Sequence, residues 1–211
     1  VPDLILALDV QERDLACGIA EKVAPYIQAI KVGYPLVLAE GLGVVKDLAG
    51  FGLPLIADFK VADIPNTNRL ITERVFLAGF HAVICQGFVG TDSVDACVTT
   101  ARVYGGKVYV VAEMSHPGAA EFFSGDIPGR LAAMCITSGA DGIIAPATRP
   151  EHVAALRTVV GRKRILSPGV GTQGGEARAV AGLVDGIIVG RAIYEAADPA
   201  RAARDYAASC R

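Results

Sequence analysis

The segment Asp58-Phe59-Lys60-Val61-Ala62-Asp63 places two carboxylates and an ammonium within six residues, next to the apolar run that precedes them. On a strand, residues two apart share a face, so Asp58 and Lys60 are expected to point into one cavity with Phe59 packed in the wall behind them. Such a site would be charged and preorganised before a ligand enters. Asp9 and Lys31 stand at the ends of two other apolar runs, which makes a network of Lys31, Asp58, Lys60 and Asp63 geometrically reasonable. Two carboxylates about 4 Å apart repel by roughly 4 kcal/mol at an effective dielectric of about 20. Interleaved lysines are what would keep both ionised. The plainer alternative is a salt-bridge network that closes one end of the fold and does nothing else.

A second cluster suits an anion. Ser167-Pro168-Gly169-Val170-Gly171-Thr172-Gln173-Gly174-Gly175 is followed further on by Val189-Gly190-Arg191. Glycines let backbone amides approach a ligand closely, and an arginine can fork onto phosphate oxygens. Gly169, Gly171 and Gly174 also spell a literal G-x-G-x-x-G. As a dinucleotide fingerprint it is misplaced, because that motif opens a first βα unit and wants an acidic residue roughly 20 positions later. Here it lies near the end of the chain, and Asp185 comes too early.

Met114-Ser115-His116-Pro117-Gly118 begins a long Gly- and Pro-containing stretch that runs to Pro128, the kind of loop that is more often functional than accidental. Ser115 has no surroundings that would activate a nucleophile, so it is assigned to hydrogen bonding. His116, His81 and His152 are expected to be structural, with no partners at metal-ligand spacing.

The elements that must position these residues form a repeat of short apolar runs and longer stretches of helical spacing. The strand candidates are Leu4 to Val10, Ala29 to Tyr34, Leu53 to Lys60, Ala82 to Gly87, Lys107 to Met114, Gly142 to Ala147, Arg164 to Val170 and Gly186 to Arg191. Helical stretches between and after them include Pro35 to Gly50, Asn66 to Gly79, Ser93 to Gly105, Pro150 to Gly161 and Ala200 to Ser209. Apolar strands alternating with helices make a parallel sheet, and eight units in 211 residues fit a single-domain (β/α)8 barrel near its lower size limit. A doubly wound open sheet is the alternative. The barrel is preferred because polar residues collect at the C-terminal ends of most strands, and in a barrel those ends converge on one face.

Composition excludes several classes. A formal net charge of -2 without a long basic block argues against a nucleic-acid polymer as partner. No apolar stretch approaches the roughly 18 residues of a membrane span, and the start Val1-Pro2-Asp3 is neither a signal peptide nor an initiator Met, so a cytoplasmic location is expected. The five cysteines are odd in number, widely spaced and without a C-x-x-C pair, as expected of core thiols.

Together these residues resemble the orotidine 5′-phosphate decarboxylases, particularly the compact archaeal type, over nearly the whole chain. The most specific match is Asp58-x-Lys60-x-x-Asp63-Ile64-Pro65-x-Thr67. Leu8-Asp9, Lys31-Val32-Gly33-Tyr34-Pro35-Leu36, Glu113-Met114-Ser115-His116-Pro117-Gly118, the glycine loop and Gly190-Arg191 support it. The resemblance implies decarboxylation of orotidine 5′-phosphate to UMP, the last step of pyrimidine nucleotide synthesis, without metal or organic cofactor. It implies that Lys60 protonates C6 of the pyrimidine as carbon dioxide leaves, that Asp58 lies beside the departing carboxylate, and that Lys31 holds the network and a ribose hydroxyl.

By the same resemblance the protein is a homodimer with shared sites, to which the neighbouring subunit contributes Asp63 and, near the ribose, Thr67, with Ile64 also at the substrate. Asp9 would bind the ribose and Ser115 the pyrimidine amide edge. Gln173, Gly190 and Arg191 would bind the phosphate, with Pro168, Gly169, Val170, Gly171 and Gly174 forming the loop around it. Two departures stand out: Glu176-Ala177-Arg178 continues the loop where relatives often have a Gly/Pro-containing stretch, and Gln86 stands where some carry His.

Related barrels that share Asp-x-Lys-x-x-Asp, the sugar-phosphate decarboxylases and hexulose-phosphate synthases, use magnesium to form an enediolate and place Glu at the end of the second strand. Here that position is Lys31, a cation where a hard metal ion needs oxygen ligands. A non-catalytic phosphosugar-binding barrel would keep Arg191 and the glycine loop but would have no need of Lys60.

Overall fold

Eight short runs rich in Val, Ile, Leu and Ala form the strands β1 (Asp3–Leu8), β2 (Ala29–Gly33), β3 (Leu55–Val61), β4 (Ala82–Gln86), β5 (Lys107–Val111), β6 (Gly142–Ile144), β7 (Arg164–Ser167) and β8 (Gly186–Val189). In the computed structural model, which describes residues 1–171 and 174–210, every strand pairs in parallel with the next, and β8 pairs with β1. The result is the expected closed (β/α)8 barrel.

The helices are α1 (Arg13–Val23), α2 (Tyr34–Glu40), α3 (Val44–Ala49), α4 (Pro65–Leu77), α5 (Thr91–Val103), α6 (Ile127–Thr137), α7 (Pro150–Val160), α8 (Ala177–Val180), α9 (Arg191–Tyr194) and α10 (Pro199–Ser209). Five of them, α2, α4, α6, α7 and α10, carry Pro in their first turn, where a missing N–H loses no hydrogen bond. The stretch Pro35 to Gly50, expected as one helix, is two. Gly41, at φ +71°, ends α2, and α3 starts afresh at Val44.

Period-two alternation divides the core. Leu4, Leu6, Leu8, Ile30, Val32, Leu55, Val108 and Val110 belong to the layer between strands and helices. Ile5, Ala7, Ala29, Ile56, Ala82, Ile84, Tyr109, Val111, Ile144, Leu166 and Ile188 fill the barrel. Six of the eight inward columns lead, one step further along the chain, to residues of one mouth: 5 and 7 to Asp9, 29 to Lys31, 56 to Asp58, 109 and 111 to Glu113, 166 to Pro168 and 188 to Gly190. The same alternation that builds the core therefore aims the polar residues at one mouth.

The opposite end is held by ion pairs. Arg164 bonds Asp3, and Arg157 donates to Asp185 Oδ2 at 2.6 Å. Asp185 Oδ2 also accepts from Ile165 N at 2.8 Å. Gly142 is required here for space: a Cβ would stand 2.1 Å from the Arg164 carbonyl oxygen.

Several strands are shorter than the sequence suggests, because the terminal residues of the apolar runs turn over the rim as loops. Strand β5 ends at Val111, β7 at Ser167 and β8 at Val189, and Arg191 is the first residue of α9. Strand β3 departs most. Ala57 pairs with Val83 and Val61 with Cys85, so three β3 residues face one on β4. Within this bulge Lys60 has φ +43°, the only left-handed residue other than glycine among those described.

Candidate active site

Asp58 and Lys60 line the same cavity, and Lys60 does so from the left-handed backbone of the bulge. A side chain in the left-handed region crowds its own backbone, at a cost of about 1–3 kcal/mol that the surroundings must offset. Lys60 Nζ donates to Asp58 Oδ1 at 2.7 Å, while Lys31 Nζ lies 2.7 Å from Asp58 Oδ2 and 3.5 Å from Asp9 Oδ1. One carboxylate is thus gripped at both oxygens by ammonium groups from two strands. Gly33, between them on β2, leaves room for Asp9, since a Cβ there would sit 3.1 Å from Asp9 Oδ1.

The electrostatics follow from that grip. Burial opposes the charge on Lys31, but Asp58 and Asp9 outweigh it and hold the ammonium above the usual lysine range. Burial likewise opposes ionisation of Asp58, yet Lys31 and Lys60 hold its carboxyl below the usual aspartate range. The Lys31–Asp58 pair is therefore ionised and preorganised without a ligand.

These residues line a cavity of about 360 Å³ at the barrel mouth, within the range of small-molecule sites. Its floor is the apolar set Ala7, Ile84, Val111, Ile144 and Ile188, and its rim adds Ser115, Pro168, Gly169, Val170, Gly190 and Arg191. Beyond Val170 the loop folds on itself: Gly171 N donates to Gly175 O at 2.9 Å and Gly175 N to Gly169 O at 3.0 Å. Gly169, Gly171 and Gly174 all have φ between 82° and 90°, which glycine adopts without strain. Gly171 and Gly174 face a neighbouring hollow instead of the main cavity, and Gln173 lies outside the described residues.

Asp63, Ile64 and Thr67 are not brought to this cavity. Asp63 is exposed, and its turn is pinned from inside: Asp63 N donates to Asn68 Oδ1 at 2.9 Å, and Ser93 Oγ donates to Asp63 O at 2.8 Å. Ile64 is 65% exposed at the start of α4. Of the four-charge network anticipated from the sequence, three members meet, and Asp9 joins them in place of Asp63.

One group of residues was missed. Glu113, with no solvent exposure, lines the cavity and pairs with Arg149, which also donates to Met114 O at 3.1 Å. His152 Nδ1 lies 3.0 Å from the same Glu113 oxygen, so this histidine has an ionic partner that the sequence did not suggest. His81 is structural, with Nδ1 accepting from Leu55 N at 3.1 Å. Tyr194, on α9, is a further cavity residue without a sequence signal.

Residues 2–206 match the model of the orotidine 5′-phosphate decarboxylase / HUMPS family. The chain belongs to this family. It is 58% identical over 207 residues to the orotidine 5′-phosphate decarboxylase of Methanosarcina barkeri, covering 97% of this chain and 93% of that protein. To the protein of the same description from Thermococcus kodakarensis it is 50% identical over 204 residues, covering 95% and 93%. Among solved structures, orotidine 5′-monophosphate decarboxylase from Methanocaldococcus jannaschii, complexed with the inhibitor BMP, superposes with a TM-score of 0.95 at 42% identity, covering 99% of this chain and 98% of that one. The Pyrococcus horikoshii structure gives 0.90 at 44% identity, covering 98% of each chain. Within the family, the chain carries Lys31 on β2 and the complete Asp58, Lys60 and Asp63 set.

Proposed function

We propose that this protein decarboxylates orotidine 5′-phosphate to UMP and carbon dioxide without a cofactor, the closing step of pyrimidine nucleotide synthesis. The observation that carries this reading is the Lys60 ammonium, held 2.7 Å from Asp58 at the cavity by a strained bulge. The order of residues around the rim matches the order of groups in a nucleotide. Gly169, Gly190 and Arg191 at β7 and β8 meet the phosphate. Asp9 and Lys31 on the adjacent β1 and β2 meet the ribose. Lys60 and Asp58 on β3 meet C6 and its carboxylate, and Ser115 beyond β5 meets the amide edge of the ring. Pro168 and Val170 flank the phosphate, and Gln173, outside the described residues, would bind it.

In the reaction the bond from C6 to the carboxylate carbon breaks, the electron pair stays on C6, and carbon dioxide leaves. Lys60 stabilises that charge and gives C6 its proton; solvent later returns one to the amine. Lowering such a barrier by roughly 20 kcal/mol lies near the top of the enzymatic range, and it needs charges fixed before the substrate arrives. Asp58 and Lys31 supply the charges, and the bulge of β3 sets the backbone from which Lys60 reaches them.

The magnesium chemistry of related barrels does not fit these residues. Both Asp58 oxygens are already occupied by ammonium groups, and Lys31 stands where an oxygen ligand would be needed.

We further read the chain as one catalytic domain, because the family match spans 2–206 and barrel closure pairs the first strand with the last. A homodimer with Asp63, Ile64 and Thr67 serving the neighbouring site is supported by the exposure of Asp63 and Ile64 and by exposed Leu38, Leu70 and Phe88 on adjacent elements. A cytoplasmic location is supported by five free thiols and by the absence, among the described residues, of any helix long and apolar enough to cross a membrane.

The test is loss of orotidine 5′-phosphate absorbance in the presence of a chelator, by the wild-type chain and by Lys60→Ala. Turnover by the first, and none by a Lys60→Ala chain that still binds UMP, is expected. No turnover by the wild type defeats the proposal, and turnover only with added magnesium favours the metal-dependent branch of the family.

A further inference from the structure

We propose that Phe59 is a positioning residue for Lys60, acting through the backbone without touching substrate. The inference rests on Lys60 being the proton donor. Between the pairs Ala57–Val83 and Val61–Cys85, strand β3 accommodates two residues more than β4, and the excess is absorbed where Lys60 turns to φ +43°.

Something must hold that conformation, and the Lys60 side chain does not. Asp58 and Lys60 both line the cavity, but the Asp58 side chain is 12% exposed and tied to two ammonium groups, whereas the Lys60 side chain is 38% exposed. A flexible four-carbon stem can reach Asp58 from more than one backbone geometry, so the ion pair fixes the ammonium only loosely.

Phe59 is the one side chain of the bulge that packs into the apolar layer between strands and helices. It is 7% exposed, stacked on Tyr34 with ring centroids 5.0 Å apart and planes at 14°, and set edge-on to Phe80 at 5.6 Å and 76°. Tyr34 directly follows the end of β2, the strand that delivers Lys31, and Phe80 lies between α4 and β4. The aromatic clamp therefore locks the outward side of the bulge to both neighbouring strands. With Phe59 held outward, its two neighbours are committed to the cavity.

The experiment compares the full-length parent with Phe59→Leu, which keeps an apolar side chain but removes the ring. Displacing a reacting group by about an ångström can cost about a hundredfold, so kcat is expected to fall about 10- to 100-fold. KM and the Kd for UMP should stay within about threefold, because the phosphate and ribose contacts are untouched. A crystal structure of Phe59→Leu should show Lys60 out of the left-handed region or its ammonium away from Asp58.

Tyr34→Leu should lower kcat in the same way and Tyr34→Phe should not, which keeps the inference testable if Phe59→Leu fails to fold. Unchanged kcat with Lys60 unmoved overturns the inference, as does an equal loss of kcat and UMP affinity, which would mark general structural damage. A parent without activity would instead defeat the decarboxylase reading, while the geometry of Lys60 in the variant would still decide the role of Phe59.

Discussion

The Lys31 ammonium lies 2.7 Å from Asp58 Oδ2 in a setting where Lys31 is only 6% exposed. Each charge is tolerable there because of the other, and their protonation is therefore linked to folding. Asp58 titrates lower in the folded chain than unfolded, so its contribution is complete above about pH 5 and is lost as pH falls through the folded value. Lys31 titrates higher when folded, so its contribution is complete below about pH 9 and is lost as pH rises through its folded value.

Asp58→Asn is expected to flatten the acid limb of stability and to cost about 3 kcal/mol at neutral pH, because it leaves the buried Lys31 ammonium only the more distant Asp9, at 3.5 Å, as counter-charge. Urea midpoints from pH 3 to 8 measure both effects, and curves that run parallel for the two proteins would contradict the linkage.

Arg149 is the main counter-charge of a carboxylate with no access to water. Replacing Arg149 with Met should destabilise the protein by about 3 kcal/mol, while the double variant with Glu113→Gln should recover part of that loss. Because Arg149 also holds the Met114 carbonyl, the turn carrying Ser115 should loosen and KM should rise. Additive losses in the double variant would show that the two side chains are not coupled.

If sites are shared, Lys60→Ala and Asp63→Ala chains should complement each other. Remixed in equal amounts they should regain about a quarter of parental activity, from one intact site in half of the dimers. Confirmed heterodimers without activity would remove Asp63 from the neighbour's site.

How far the sequence reveals this protein depends on how local each determinant is. Strand register is set by alternation along a few residues, so Asp9, Lys31 and Asp58 could be aimed at one mouth before any coordinates. Glu113 follows the same rule from Tyr109 and Val111. Its partner Arg149 does not, since it sits in the loop between β6 and α7, where no periodicity reports direction. The bulge at Lys60 is hidden for another reason. It is a mismatch in length between β3 and β4, and neither strand states it alone. Asp63 is near Asp58 and Lys60 in sequence, but a turn pinned by Asn68 and Ser93 carries it outward.

Pairing of β8 with β1 also dictates when the protein can first work during its synthesis. Asp3 through Leu6 have no partner on one side until residues 186–189 leave the ribosome, so the earliest strand waits with a bare parallel edge for most of translation. Asp9 and Arg191 come to line one cavity only at that last step. A nascent chain halted before β8 is therefore both catalytically incompetent and, through that waiting edge, prone to join another unfinished copy.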